Sequence, residues 1–230
     1  MRALRMVLIL AVVLGGLLVG ADRIAVAYAE SEAADGVRLG AVKAESTAID
    51  IKGFPFLTQI ADRRFDEVEV RITGVQASAG GRPVRIGELT AALHDVTLDE
   101  DYAIDRAGSA DGTALISYAD LAAASGRDAQ VGYGGNGKVK VTGGVRFLGR
   151  TITRSVLSTV TVVDGDTIRV RADEVPGEGI PLLEDKVRSV TDFDRRIEGL
   201  PKGMRLTKVE ARADGLAVTV TGRNVTLTAG

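Results

Sequence analysis

The stretch FDEVEVRITGV, residues 65–75, alternates apolar and polar side chains almost without a break. Val68, Val70 and Ile72 share one parity; Glu67, Glu69, Arg71 and Thr73 share the other. Successive side chains of a strand point to opposite faces, so such a segment fits a sheet with one buried and one wetted face. The pattern recurs in KVKVTGGVRF, SVLSTVTVV, DTIRVRA, RLTKVEARA and LAVTVTGRNVTL. Asp164-Gly165 and Asp214-Gly215 each separate two of these runs, a two-residue hairpin signal. A large antiparallel sheet follows.

Helical patterns punctuate the strands. Residues 21–41 read as an amphipathic helix with Ile24, Tyr28, Val37 and Leu39 on its apolar side. GFPFLTQIADRRF places Pro55 near a helix start, and SYADLAAASG offers Ser117 as a cap and Gly126 as a stop. PLLEDKVRSVTDF, from Pro181, predicts a third short helix. The class is therefore α+β.

The leader MRALRM carries Arg2 and Arg5 and precedes the uncharged run VLILAVVLGGLLVG. Residues 1–20 fit either a signal peptide or an N-terminal membrane anchor, and residues 21–230 a single domain. The two arginines favour the cytoplasmic side, which puts the rest of the chain outside. Ala27-Tyr28-Ala29 matches a small-x-small cleavage pattern; the rival is an uncleaved anchor running on into the helix.

Composition removes much chemistry. The chain has no Cys, no Trp and one His, His94, with a formal net charge of −2. Disulfides, thiolate metal sites, a Cys nucleophile and a His-based triad lose their parts. Neither a basic footprint nor a set of stacking aromatics points to nucleic acid. GYGGNGK, residues 132–138, approximates a phosphate loop, but Val139 stands where Ser or Thr should hold magnesium, and a strand pattern follows. Asn136-Gly137 fits a hairpin turn instead, so no nucleotide partner is expected. Asp99-Glu100-Asp101 lacks the spaced ligands of a calcium loop. No catalytic residue, metal set or cofactor is nominated.

GFPFLTQIADRRFDEVEV, ISYADL, YGGNGKVKVTG, LGRTITRSVLSTVTVVDGDTIRV, TDFDRRIEGLP and KVEARADGLAVTVTG, in this order, resemble the signatures of the LmeA-like family of exported actinobacterial phospholipid-binding proteins. That resemblance implies a tubular lipid-binding architecture. A long N-terminal helix would pack on a highly curved antiparallel sheet, a half-barrel with an apolar cleft for acyl chains. It also implies an envelope or periplasmic location and a phospholipid ligand of phosphoinositide type. A membrane surface is the expected partner, and lipid transfer, presentation to a membrane enzyme or maintenance of the envelope the expected role. It carries no catalytic residues.

Within this frame Val68, Val70, Ile72, Val139, Val141, Val156 and Val160 are candidate cleft-lining residues, or ordinary core. Phe54, Phe56, Leu57 and Ile60, beside Gly53 and Pro55, fit a lip where lipid enters or a plug closing the barrel. Arg63 and Arg64 are candidate headgroup contacts, because a guanidinium pairs two hydrogen bonds with phosphate oxygens.

Overall fold

The computed structural model describes residues 2–39, 44–79, 82–125, 129–147, 150–173, 188 and 191–227. Helix α1 (Arg2–Leu39) is followed by β1 (Ser46–Lys52), α2 (Phe56–Ala61), β2 (Arg64–Ala79), β3 (Arg82–Leu98), β4 (Ile104–Ile116) and α3 (Tyr118–Ser125). Then come β5 (Ala129–Gly135), β6 (Lys138–Phe147), β7 (Arg150–Val163), β8 (Thr167–Ala172), β9 (Phe193–Arg196), β10 (Lys202–Arg212) and β11 (Gly215–Thr226). The strands form a six-stranded sheet, β1-β2-β3-β4-β11-β10, and a five-stranded sheet, β5-β6-β7-β8-β9. Every pairing is antiparallel. The α+β class with a long N-terminal helix and curved antiparallel strands is as expected, with the strands divided between two sheets.

Register carries the alternation across the first sheet. Ile49, Val70, Ala91, Gly112, Val220 and Leu206 lie opposite one another from strand to strand. Rows Thr47–Ile72–Leu89–Ala114–Val218–Val209 and Ile51–Val68–Leu93–Ala110–Gly222–Met204 flank it. This face is the inner one. Beyond the last row the alternation slips by one residue in four strands at once, at Asp66, Asp95, Gly108 and Asn224. Asp95 and Asn224 take left-handed backbone there, with φ of 51° and 49°. The slip turns Phe65, Val96, Ala107 and Val225 inward, where all four are buried.

Two apolar cores result. The first joins Val26 of α1 and Phe56 of α2 to Phe65, Val68, Leu93 and Val96. The second joins Val139, Val141, Val160, Ile168 and Val170 to Leu206, Leu216 and Val218, and so fixes the second sheet against β10 and β11.

Asn136 and Gly137 have φ of 49° and 72° and close β5 onto β6 as a two-residue turn. Lys138 opens a strand, and its ammonium pairs with Asp173 at 2.9 Å. The hairpin near Asp164-Gly165 spans residues 164–166. The last one turns through Ala213 and Asp214, one residue earlier than expected, because Gly215 already pairs with Arg212. Ser117 caps α3: its Oγ accepts the Asp120 amide at 3.1 Å and donates to the Asp120 carboxylate at 2.6 Å. Gly126 and most of the helix expected from Pro181 lie outside the described residues; Arg188 and Thr191, within it, are helical.

One expectation is corrected. Ile24 and Tyr28 do not form the packed side of α1 but are 73% and 71% exposed. The buried side is Asp22, Ala25, Val26 and Ala29, with Glu30 half-buried. Alanines let the helix approach the sheet edge closely, and the acids bond backbone amides, so bulk hydrophobicity marks the wrong face. Val37 and Leu39 have side chains outside the described set.

Candidate functional site

The inner face of the first sheet is unevenly covered. Ile51, Val68, Leu93 and Ala110 are buried under α1 and α2, and Leu206, Leu216 and Val218 under the second sheet. Between them Ile49, Val70, Leu89, Ala91, Ala114 and Val220 are only half-buried. Leu89, Ala91 and Ala114 belong to neither core. An apolar strip runs here across neighbouring strands about 4.8 Å apart, partly open and without a charged side chain in its rows. Such a surface receives hydrocarbon through shape and apolarity and offers little to a polar ligand.

The opposite face differs. Ala48, Arg71, Thr90, Thr113 and Thr219 form one outer row, and Asp50, Glu69, Ala92 and Asp111 another. They line an open groove of about 620 Å³. Lys52 lies 2.6 Å from Asp50 and 3.4 Å from Glu69, so these acids are already paired. An acyl chain laid there would strip water from charges for no compensating contact. Size alone does not make the groove a surface for hydrocarbon.

At one end of the inner face sits α2. Gly53, with φ of 97°, makes the turn into it, and a side-chain carbon there would fall 2.6 Å from Gln59 Nε2. Gln59 joins the two flanks: its Nε2 donates to the Lys52 carbonyl at 3.2 Å, and its Oε1 accepts the Asp66 amide at 2.8 Å. Phe56 is 4% exposed and stacks on Phe65 with centroids 5.9 Å apart. Ile60 packs against the same core. Phe54 and Leu57 turn outward, 59% and 42% exposed. The four residues thus divide, two closing the core and two facing solvent. Pro55 provides no side-chain cap to α2. Asp22 of α1 does so instead, accepting the Leu57 amide at 2.8 Å, while Arg23 lies 5.3 Å from the centre of the Phe54 ring.

Arg63 and Arg64 follow α2 at the same end and point to separate neighbours. The Arg63 guanidinium sits 5.3 Å from the Tyr102 ring centre. Arg64 Nη2 donates to Asp95 Oδ1 at 2.7 Å, both side chains being more than half exposed.

The nominated valines are not brought together in one row. Val68, Val70 and Ile72 lie on the inner face of the first sheet, whereas Val139, Val141, Val156 and Val160 lie in the second. Sequence reading passed over Ile49, Leu89, Ala91, Ala114 and Asp22. The alternations TAIDIK and ELTAALHD were available as a signal, but Ala at inward positions dilutes the apolar contrast.

A family model described as LmeA-like phospholipid-binding matches residues 20–221. No curated protein and no solved structure matches the chain.

Proposed function

The chain belongs to the LmeA-like phospholipid-binding family, and from that premise we propose that it holds phospholipid acyl chains in the half-covered strip on the inner face of its first sheet. The supporting observation is the set of cross-strand apolar rows whose middle neither core covers. Each methylene removed from water contributes about 0.8 kcal/mol, so a strip that covers roughly eight of them offsets about 6 kcal/mol of exposure.

In this reading Val70 and Ile72 touch the chains, Val68 supports them from the adjoining core, Phe56 and Ile60 close that core at the α2 end, and Phe54 and Leu57 stand exposed beside it, at the entrance. Val139, Val141 and Val160 act indirectly, by holding the second sheet on β10, and Val156 pairs with Val141 within that sheet. Arg63 and Arg64 meet the phosphate, of phosphoinositide type, with Arg64 exchanging its surface pair with Asp95 for it; exposed pairs of that kind contribute little. Residues 21–230 act as one lipid-binding domain, delivered outside the cytoplasm by residues 1–20. Its role is carriage or presentation of lipid during envelope assembly, to a membrane enzyme, without a catalytic step of its own.

Native mass spectrometry with organic extraction tests this on residues 21–230, which keep Asp22, Val26 and Glu30. The expected result is near-stoichiometric co-purified phospholipid, lost when Ala114→Phe fills the strip in a chain that still unfolds cooperatively. A folded wild-type chain that carries no lipid and ignores added phospholipid overturns the reading and favours an adaptor filled by its own side chains.

A further inference from the structure

Helix α1 changes character within one turn. Every large apolar side chain from Ile9 to Val19 is exposed. Three residues later the helix enters the protein: Asp22 is 2% exposed and bonds α2, Val26 is buried in the first core, and Glu30 Oε1 accepts the Ile51 amide at 2.8 Å. The helix is continuous through this change. Cleavage after Ala27-Tyr28-Ala29 would remove both Asp22 and Val26, leaving the first turn of α2 uncapped and a gap in the core. A dispensable leader has no reason to be part of the fold it delivers.

The apolar half also leaves the protein at a particular place. Asp22 meets α2 while Glu30 meets β1, so residues before Asp22 run out past α2. Phe54, Leu57 and Tyr102, three exposed large apolar side chains, lie at that end, on the approach to α2, on α2 and in the β3–β4 turn. Arg23 and Arg63 each set a guanidinium over one of the two aromatic rings. Aromatic rings beside long cations are the arrangement favoured where hydrocarbon meets water.

We propose that α1 is retained as a membrane anchor, its apolar half spanning the bilayer and its second half built into the fold, so that Phe54, Leu57 and Tyr102 rest in the interface of the outer leaflet. Met6 to Ala21 carries no charge. At 1.5 Å per residue it covers about 24 Å, most of the hydrocarbon thickness of about 30 Å. The bilayer is the occupant of the exposed α2 end because the helix that enters it is covalently continuous with that end. This assignment stands independently of lipid binding on the inner face.

The test uses the full chain with a C-terminal tag, expressed in a bacterial host that exports it. Intact mass of the envelope-fraction protein is expected to include the residues from Arg2 onward, and the protein should resist high-salt and carbonate washes and yield only to detergent. A mature chain beginning at Glu30 and released as soluble protein overturns retention. Because the sequence has no Trp, Phe54→Trp and Leu57→Trp, each alone, report on docking after reconstitution into vesicles of phosphatidylcholine with a minority of phosphatidylglycerol. Blue-shifted emission quenched by brominated lipid is expected at both positions and not for Tyr133→Trp in the second sheet. Solvent-like emission at 54 and 57 in a retained chain overturns the docking.

Discussion

The Asp22 carboxylate, 2% exposed, accepts the Leu57 amide at 2.8 Å across 35 residues of sequence. A helix start leaves backbone amides without partners, and a neighbouring side chain normally answers them. Here Pro55 occupies the cap position without a side-chain acceptor, so the partner comes from α1. Helix α2 is thereby tied to the second half of α1.

Asp22→Ala is accordingly expected to lower the thermal midpoint of residues 21–230 by a few degrees, with Asp22→Asn, which keeps an acceptor, lowering it less. Amide exchange of Leu57 should speed up in the alanine variant. Equal midpoints for all three proteins would deny the cap.

Gly53→Ala should cost about 1–2 kcal/mol, because φ of 97° is a left-handed conformation that an L side chain resists. The new carbon would also crowd Asp66 Oδ2, 2.9 Å away. Denaturant titration at constant m-value checks this.

Phe56 and Phe54 should behave oppositely. Phe56→Ala empties a packed site beneath α2 and is expected to cost about 3–5 kcal/mol. Phe54→Ala should stay within about 0.5 kcal/mol in stability while weakening vesicle association. Chemical denaturation and liposome flotation, run on both variants, separate closure of the core from contact with lipid.

Among the described residues, two buried hydroxyls, those of Thr47 and Ser158, have no hydrogen-bond partner. Replacing an orphaned buried hydroxyl removes its desolvation cost, so Ser158→Ala and Thr47→Val should each raise the stability of the lipid-free chain by roughly 1 kcal/mol. A loss of stability in either would mean that its hydroxyl is satisfied in solution.

Acid should loosen the second sheet. The Arg169 guanidinium, bonded at 2.8 Å, holds the Asp194 carboxyl below its usual range; the Thr159 hydroxyl and then Lys138 do the same for Asp173. A carboxyl with a lowered folded pKa stabilises above its unfolded value, and that share disappears as pH falls through the ordinary carboxylate range toward the lower folded value. Stability measured from pH 6 downward should therefore decline from about pH 4, and more gently in Asp194→Asn. The same slope in the variant would remove Asp194 from the cause.

Period-two alternation determined the strands β2, β6, β7, β8, β10 and β11 and the antiparallel class, because side-chain direction in a strand is a local property of the backbone. The turn at Asn136-Gly137 was equally local, since it needs only two residues that tolerate positive φ. The order of signature segments carried the family. Tertiary structure alone decided that the strands divide into two sheets, that the apolar valines split between two cores, and that Ala91, Gly112 and Ala114 occupy the middle of the inner face. It also decided which side of α1 is buried. Those outcomes depend on register and on distant partners: Val26 is core only because α1 packs on β1 and α2, and Asp22 is a cap only because Leu57, 35 residues on, presents its amide to it.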